Sequence, residues 1–285
     1  DVGHCTVLAQ PVLTSTDSER YGLGEADLAI RGGRFGRRGR GRICREAAQE
    51  PHITLYGIEM NQKKFFLKIW LEFWFYFLAG IQVLIYFPFL VLILLLPKAY
   101  SKLFWIARNI WARITLHGSG YYVKVENKEK LKSDTNCLII ANHSSHMDVF
   151  LMLITCKKPF VFVGKKELYK IPFFGYIYKR AAIMVDRSDS KSRFEVYGKA
   201  NEMLKEGYNV CIFPETNYLD DTILLADFKR GAFKIAIENN LPIIPLVFYD
   251  LKLKHPWYPK FGSLGKLRVK VLDKISVEGL TEKDI

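Results

Sequence analysis

The chain has no lysine in its first 59 residues, no charged residue from position 73 to position 96, and only five cysteines in 285 residues. Each gap excludes something. Cys5, Cys44, Cys137, Cys156 and Cys211 are odd in number and widely spaced. They form no metal knuckle or disulfide frame, which points to a reduced, cytosol-facing compartment. Neither G-x-G-x-x-G nor G-x-x-x-x-G-K-[ST] occurs, so the usual cradles for dinucleotides and nucleoside triphosphates are missing. No G-x-S-x-G elbow surrounds Ser144 or Ser145, which leaves their hydroxyls to hydrogen bonding within their loop. His143 and His146 lack a third ligand at metal-site spacing, so no metal is expected. There is no internal repeat.

What is present is apolar and basic: 49% hydrophobic, 14% aromatic, with a net charge of +13. Residues 1–59 hold eight arginines against eight acids, so the whole excess lies in residues 60–285, where 27 lysines and seven arginines face 21 acids. Such a surplus suits anionic partners: phospholipid headgroups, phosphate-bearing substrates or nucleic acid. The Arg/Gly run at 31–42 has the composition of a disordered RNA-binding tail. It is read instead as part of an extension over 1–59 that is disordered or foreign to the rest, with Met60 as the expected start, and nucleic acid is not an expected partner.

From Met60 the chain turns apolar. Residues 73–96 are 24 uncharged positions interrupted only by Gly80, Gln82 and Pro88. The length suffices to span a bilayer, although Pro88 is expected to break or kink a helix at Phe87. Between 98 and 116, Leu103, Phe104, Ile106, Ala107, Ile110, Trp111 and Ile114 recur at helical spacing among Lys102, Arg108 and Arg113. That pattern predicts an amphipathic second helix at a membrane surface. With lysines at both ends of the apolar run, a membrane-associated helical hairpin over 60–116, dipped into one leaflet on the cytoplasmic face, satisfies the charges best.

The remainder alternates strand and helix signals. Strands are expected at 137–141, 160–163, 182–185, 210–213, 243–248 and 267–271, and helices at 147–155, 192–205 and 231–239. The alternation predicts an α/β domain over 117–285, its mostly parallel or mixed sheet flanked by helices. The sharpest chemical signal is at 141–148, Ala-Asn-His-Ser-Ser-His-Met-Asp, between a short buried strand and a helix. A loop folding back there brings Asp148 to one ring nitrogen of His143, leaving the other to take a proton from a substrate.

Downstream come Gly164-Lys165-Lys166, Ile183-Met184-Val185-Asp186-Arg187, Phe213-Pro214-Glu215-Thr216, Phe228-Lys229-Arg230-Gly231 and Leu241-Pro242-Ile243-Ile244-Pro245. In this order and spacing the chain resembles the glycerolipid acyltransferases, closest to the 1-acylglycerol-3-phosphate O-acyltransferases, over about 138–248. The resemblance implies transfer of a fatty acyl chain from acyl-CoA or acyl carrier protein to lysophosphatidic acid, giving phosphatidic acid in phospholipid biosynthesis, with no bound cofactor. It makes His143 and Asp148 catalytic and Lys165, Lys166, Arg187, Glu215, Thr216, Lys229 and Gly231 substrate-binding. The family's common Phe-Pro-Glu-Gly-Thr-Arg block reads Phe-Pro-Glu-Thr-Asn-Tyr here, so one phosphate-binding arginine is missing. That departure keeps other acceptors open, including a lyso-aminolipid. A lipid ester or thioester hydrolase and a non-catalytic membrane scaffold are the rivals from other classes.

Overall fold

The computed structural model describes residues 62–186, 189–215, 225–257 and 262–285. The expectations for residues 1–59, Arg187 and Thr216 lie outside the described residues. Residues Met60–Ile285 form one compact unit.

That unit opens with α1 (Gln62–Ile93), which runs through Pro88 without a break. The expected interruption at Phe87 does not occur. Proline removes one i→i−4 bond, here to Leu84, and that loss falls near the helix end, where little helix remains to be unseated. Residues 66–93 are long and apolar enough to cross a bilayer, and only 6% of the most apolar stretch is buried inside the protein. After a turn come α2 (Ala99–Ile106), a π-helical turn (Ala107–Trp111) and α3 (Ala112–Gly118).

The π turn re-aims the expected apolar stripe, because an added residue rotates everything after it. Leu103 and Phe104 are buried before the turn; Ala112, Thr115 and Leu116 are buried after it, and Ile114 faces outward. Much of the stripe is therefore spent on the protein. Trp111 packs tilted against Phe150 at 4.5 Å and donates its indole N–H to the Ala79 carbonyl at 2.9 Å. Arg108 donates to the carbonyls of Cys156 and Ile154, capping the end of a following helix with positive charge.

The sheet has seven strands: β1 (Tyr121–Glu126), β2 (Leu138–Ala141), β3 (Phe160–Lys165), β4 (Ala182–Val185), β5 (Asn209–Ile212), β6 (Ile243–Phe248) and β7 (Gly265–Val271). Their order is β1-β7-β6-β2-β5-β3-β4. All neighbours are parallel except β6 and β7. Helices α4 (Asp148–Thr155), α5 (Phe174–Ala181), α6 (Ser190–Lys205), α7 (Arg230–Glu238) and α8 (Leu251–Lys254) complete the α/β fold expected from the alternating signals.

The central strand β2 is apolar throughout because helices cover both faces of the sheet. Ile139 points into the layer holding α3 and α4, with Leu116, Leu151 and Ile244. Leu138 and Ile140 point the other way, to Val196 and Ala200 of α6 and Ile235 of α7. The two-residue period assigns one side chain to each layer in turn. Truncating Ile139 to alanine would cost about 2–5 kcal/mol, since nothing fills the space.

Candidate active site

Parallel strands bring their carboxyl ends to one edge, and the loops leaving β2, β3 and β5 meet there. β2 stops at Ala141, yet its pairing to β6 continues for one more position through a side chain. The Asn142 carboxamide oxygen accepts the Phe248 N–H at 2.7 Å, and its nitrogen donates to the Phe248 carbonyl at 3.0 Å. The amide imitates a peptide unit, which frees the backbone to turn away.

The turn delivers His143, whose Nδ1 lies 2.9 Å from Asp148 Oδ2. Asp148 is fully buried in the first turn of α4, and the same oxygen accepts the N–H groups of Ser144 at 2.6 Å and Ser145 at 2.9 Å. An ionised carboxylate can only accept, so Nδ1 donates and the lone pair is left on Nε2. Phe213, just past the end of β5, stacks on the imidazole at 4.3 Å and 12°, fixing its plane. The Ser145 hydroxyl accepts the Met147 N–H at 3.2 Å, as expected for a loop hydroxyl, whereas the buried Ser144 hydroxyl finds no partner among the described residues.

Glu215 closes the arrangement from behind. Its Oε1 accepts the His143 N–H at 2.7 Å and its Oε2 accepts the Ala226 N–H at 2.8 Å. Burial pushes its carboxyl above the usual range against the pull of these two N–H groups. Glu215, expected as a substrate ligand, ties the histidine loop to the segment that follows β5. Neither its 72-residue separation from His143 nor the role of Asn142 has a local signal in the sequence.

The expected lysines stand at the same edge, exposed. Lys165 is the last residue of β3. Lys166 opens a 3₁₀ turn, its ammonium 3.9 Å from Asp186 at the end of β4. Lys229 precedes α7 and donates its backbone N–H to the Pro214 carbonyl at 3.0 Å, which seats it beside Glu215. A Cβ on Gly231 would meet only the Tyr197 hydroxyl at 3.9 Å, so no packing within the described protein demands glycine there. Gly164 is different, because the Tyr178 hydroxyl, which donates to the Lys165 carbonyl at 3.1 Å, fills the space a side chain would need.

Two further features have no precedent in the sequence pattern. Tyr76 of α1 places its hydroxyl 2.6 Å from His146 Nδ1, joining the apolar helix to the catalytic loop. Partial desolvation, then the nearby His143, hold the His146 pKa below the ordinary histidine value. Behind the site lies an apolar cavity of about 160 Å³ walled by α1, α2, α4, β3 and α5, among them Val83, Leu103, Phe104, Leu153 and Phe162. Phe162 lies 6.1 Å from Phe213, which stacks on the imidazole, so two aromatic rings stand between this cavity and His143. Among the described residues no three His, Cys, Asp or Glu side chains converge on a metal position.

A histidine oriented by a buried carboxylate at the carboxyl edge of an α/β sheet is an arrangement suited to general-base chemistry. Residues 122–249 match the model of the Acyltransferase family. The chain is 30% identical over 168 residues to the human 1-acyl-sn-glycerol-3-phosphate acyltransferase beta, covering 58% of this chain and 60% of that one. It is 29% identical over 185 residues to the 1-acyl-sn-glycerol-3-phosphate acyltransferase of Saccharomyces cerevisiae, covering 64% and 60%. The chain thus spans about 60% of the length of these relatives. The fold is shared with the 1-acyl-sn-glycerophosphate (LPA) acyltransferase of Thermotoga maritima, with a TM-score of 0.63, 24% identity, and coverage of 77% of this chain and 90% of that one.

Proposed function

We propose that this protein is a membrane-associated O-acyltransferase. It moves a fatty acyl group from acyl-CoA or acyl carrier protein to the hydroxyl of 1-acylglycerol-3-phosphate, on the cytoplasmic face of a membrane. The observation that carries this reading is the His143–Asp148 pair, with Nδ1 committed to a buried carboxylate at 2.9 Å. An alcohol is too weak an acid to attack a thioester unaided. His143 Nε2 takes the hydroxyl proton as the oxygen bonds to the thioester carbonyl carbon, and Asp148 stabilises the imidazolium that forms. Collapse of the adduct breaks the C–S bond, and the imidazolium returns the proton to the leaving thiolate. The Ser144 and Ser145 amides are taken by Asp148, so donors for the transient oxyanion would come from the first turn of α4. Lys165, Lys166 and Lys229 suit an acceptor phosphate, and the apolar cavity suits an acyl chain.

The names of the relatives, acyltransferases of 1-acyl-sn-glycerol-3-phosphate, support this acceptor. The thioester is a co-substrate, and no resident cofactor is needed. Thiol release from long-chain acyl-CoA and acyl carrier protein, measured across a lysolipid panel, tests the reading. Release that requires 1-acylglycerol-3-phosphate is expected. A stronger response to another lysolipid would move the acceptor, release without acceptor would mean a hydrolase, and no release with any pair would remove the enzymatic reading.

A further inference from the structure

The loop that follows β3 holds a phenylalanine in a conformation that side chains rarely adopt. Phe173 has φ 61° and ψ −56°. Such a backbone persists only where its surroundings leave no alternative. The Phe174 N–H donates to the Pro172 carbonyl at 2.6 Å and the Gly175 N–H to the Ile171 carbonyl at 2.7 Å. Gly175 lies so close to the Tyr169 carbonyl that no Cβ fits between them. The turn is thereby locked with its side chains outward: Ile171 is 46% exposed, Phe173 48% and Tyr176 42%. Three large apolar or aromatic groups held out by a strained backbone are costly in water, which points to a function outside the protein core.

Two observations identify what covers them. The Phe87 ring of α1 packs edge-on against Phe173 at 5.0 Å and against Tyr176 at 5.8 Å. The patch therefore continues the outward apolar surface of α1, where Leu84, Ile85, Phe89 and Leu92 are also exposed. Flanking it in the chain are Lys165, Lys166, Lys170, Lys179 and Arg180, with Glu167 as the only acid in residues 165–180. Two of these cations lie over aromatic rings, Arg180 over Tyr176 at 3.9 Å and Lys179 over Tyr169 at 4.7 Å. An apolar tip flanked by cations and aromatic side chains matches the layering of an anionic lipid surface, with acyl chains below and phosphates at the rim. A second protein would have to offer an acidic rim around an apolar pocket; the lipid surface offers both without a dedicated partner.

We infer that residues 171–176 are a second membrane-inserting element, contributed by the α/β domain itself. The inference rests on the membrane-associated reading given above and adds a contact to it. With α1 it fixes the tilt of the sheet, so that the edge carrying His143, Lys165 and Lys166 meets the bilayer at headgroup depth. An acceptor could then pass from the leaflet to the base without leaving the lipid.

The test does not require catalysis. In the full chain with Cys5→Ser and Cys44→Ser, a polarity-sensitive maleimide dye is attached at Phe173→Cys, at Ile171→Cys in a second variant, and at exposed Glu278→Cys as control; Cys137, Cys156 and Cys211 are buried and stay unlabelled. Addition of phosphatidylcholine/phosphatidylglycerol vesicles should brighten and blue-shift the dye severalfold at both loop positions, with quenching by brominated acyl chains, and leave position 278 unchanged. Vesicle-bound protein with no response at 171 and 173 overturns the inference. A response that follows protein concentration without lipid also overturns it, because a second copy is then the occupant. Failure to bind vesicles removes the membrane reading and this inference together. A dye response in a protein that releases no thiol keeps the inference and removes only the proposed reaction.

Discussion

The two halves of the site are built in opposite ways. On the histidine side the groups that hold the imidazole are committed, although the Ser144 hydroxyl and Asp148 Oδ1 find no partner among the described residues: Asp148 Oδ2 takes three donors, Glu215 takes two, and Phe213 pins the imidazole plane. On the basic side Lys165, Lys166 and Lys229 stand exposed at strand and helix ends. In the proposed reaction the difference follows from the work each half would do. A base must be held at a fixed angle before the substrate arrives, because reorientation during the reaction would add to the barrier. A phosphate can be gathered by long, mobile cations that close on it only when it binds. One half is assembled by folding; the other is completed by its ligand.

That contrast can be pressed from both sides. Replacing the base should have the largest effect: His143→Ala is expected to lower kcat by about 10²- to 10⁴-fold while the protein still folds cooperatively, checked by thiol release and thermal denaturation. Unchanged turnover would end the assignment of this side as catalytic. Tightness beneath the site can be probed through His255, which packs against Phe75 of α1 and Tyr121 of β1. Burial, then the nearby Lys68, lowers its pKa to about 4. The unfolded chain takes up this proton below pH 6.5 and the folded protein does not, so stability is full above that pH and drains away towards pH 4. The loss is up to about 3 kcal/mol. Denaturant titrations between pH 7 and pH 4 should show a shallower decline in His255→Gln.

Glu215→Gln sharpens the comparison further, since its amide nitrogen would face a backbone N–H donor. A loss of about 1–3 kcal/mol in stability is expected, with a fall in kcat and little change in KM for the acceptor. A rise in KM alone would make Glu215 a ligand and not a brace. The smallest effect belongs to the open half. Lys165→Ala with Lys166→Ala should raise the acceptor KM a few-fold, by about 1 kcal/mol or less, and should matter less at high salt because exposed charges are screened. A collapse of kcat instead would show that the basic side is as preorganised as the histidine side.

The parts legible in the sequence are those whose cause is local. Buried strands β2 and β6 announce themselves as unbroken apolar runs, and His143 and Asp148 are close enough for one loop to join them. β1 was not legible: Tyr-Tyr-Val-Lys-Val-Glu is a half-exposed edge strand whose partner, β7, lies more than a hundred residues on. α5 was hidden because its eight residues follow a proline and include Gly175, whose reason is contact with the Tyr169 carbonyl. Pro88 misled because the rule against helix-interior proline gives a cost and not a prohibition. The brace from Glu215 and the link from Tyr76 to His146 belong to the fold, since each joins residues about seventy positions apart.

The Asn142 carboxamide has an implication for variation. By standing in for a peptide group against Phe248, it lets the hydrogen-bonding pattern of the sheet finish before the backbone of the histidine loop begins. Towards β6 the seam between sheet and loop is one side chain wide. The loop's length and composition beyond His143 can change while the register between β2 and β6 stays fixed, so chemistry at this edge can be retuned without rewriting the scaffold.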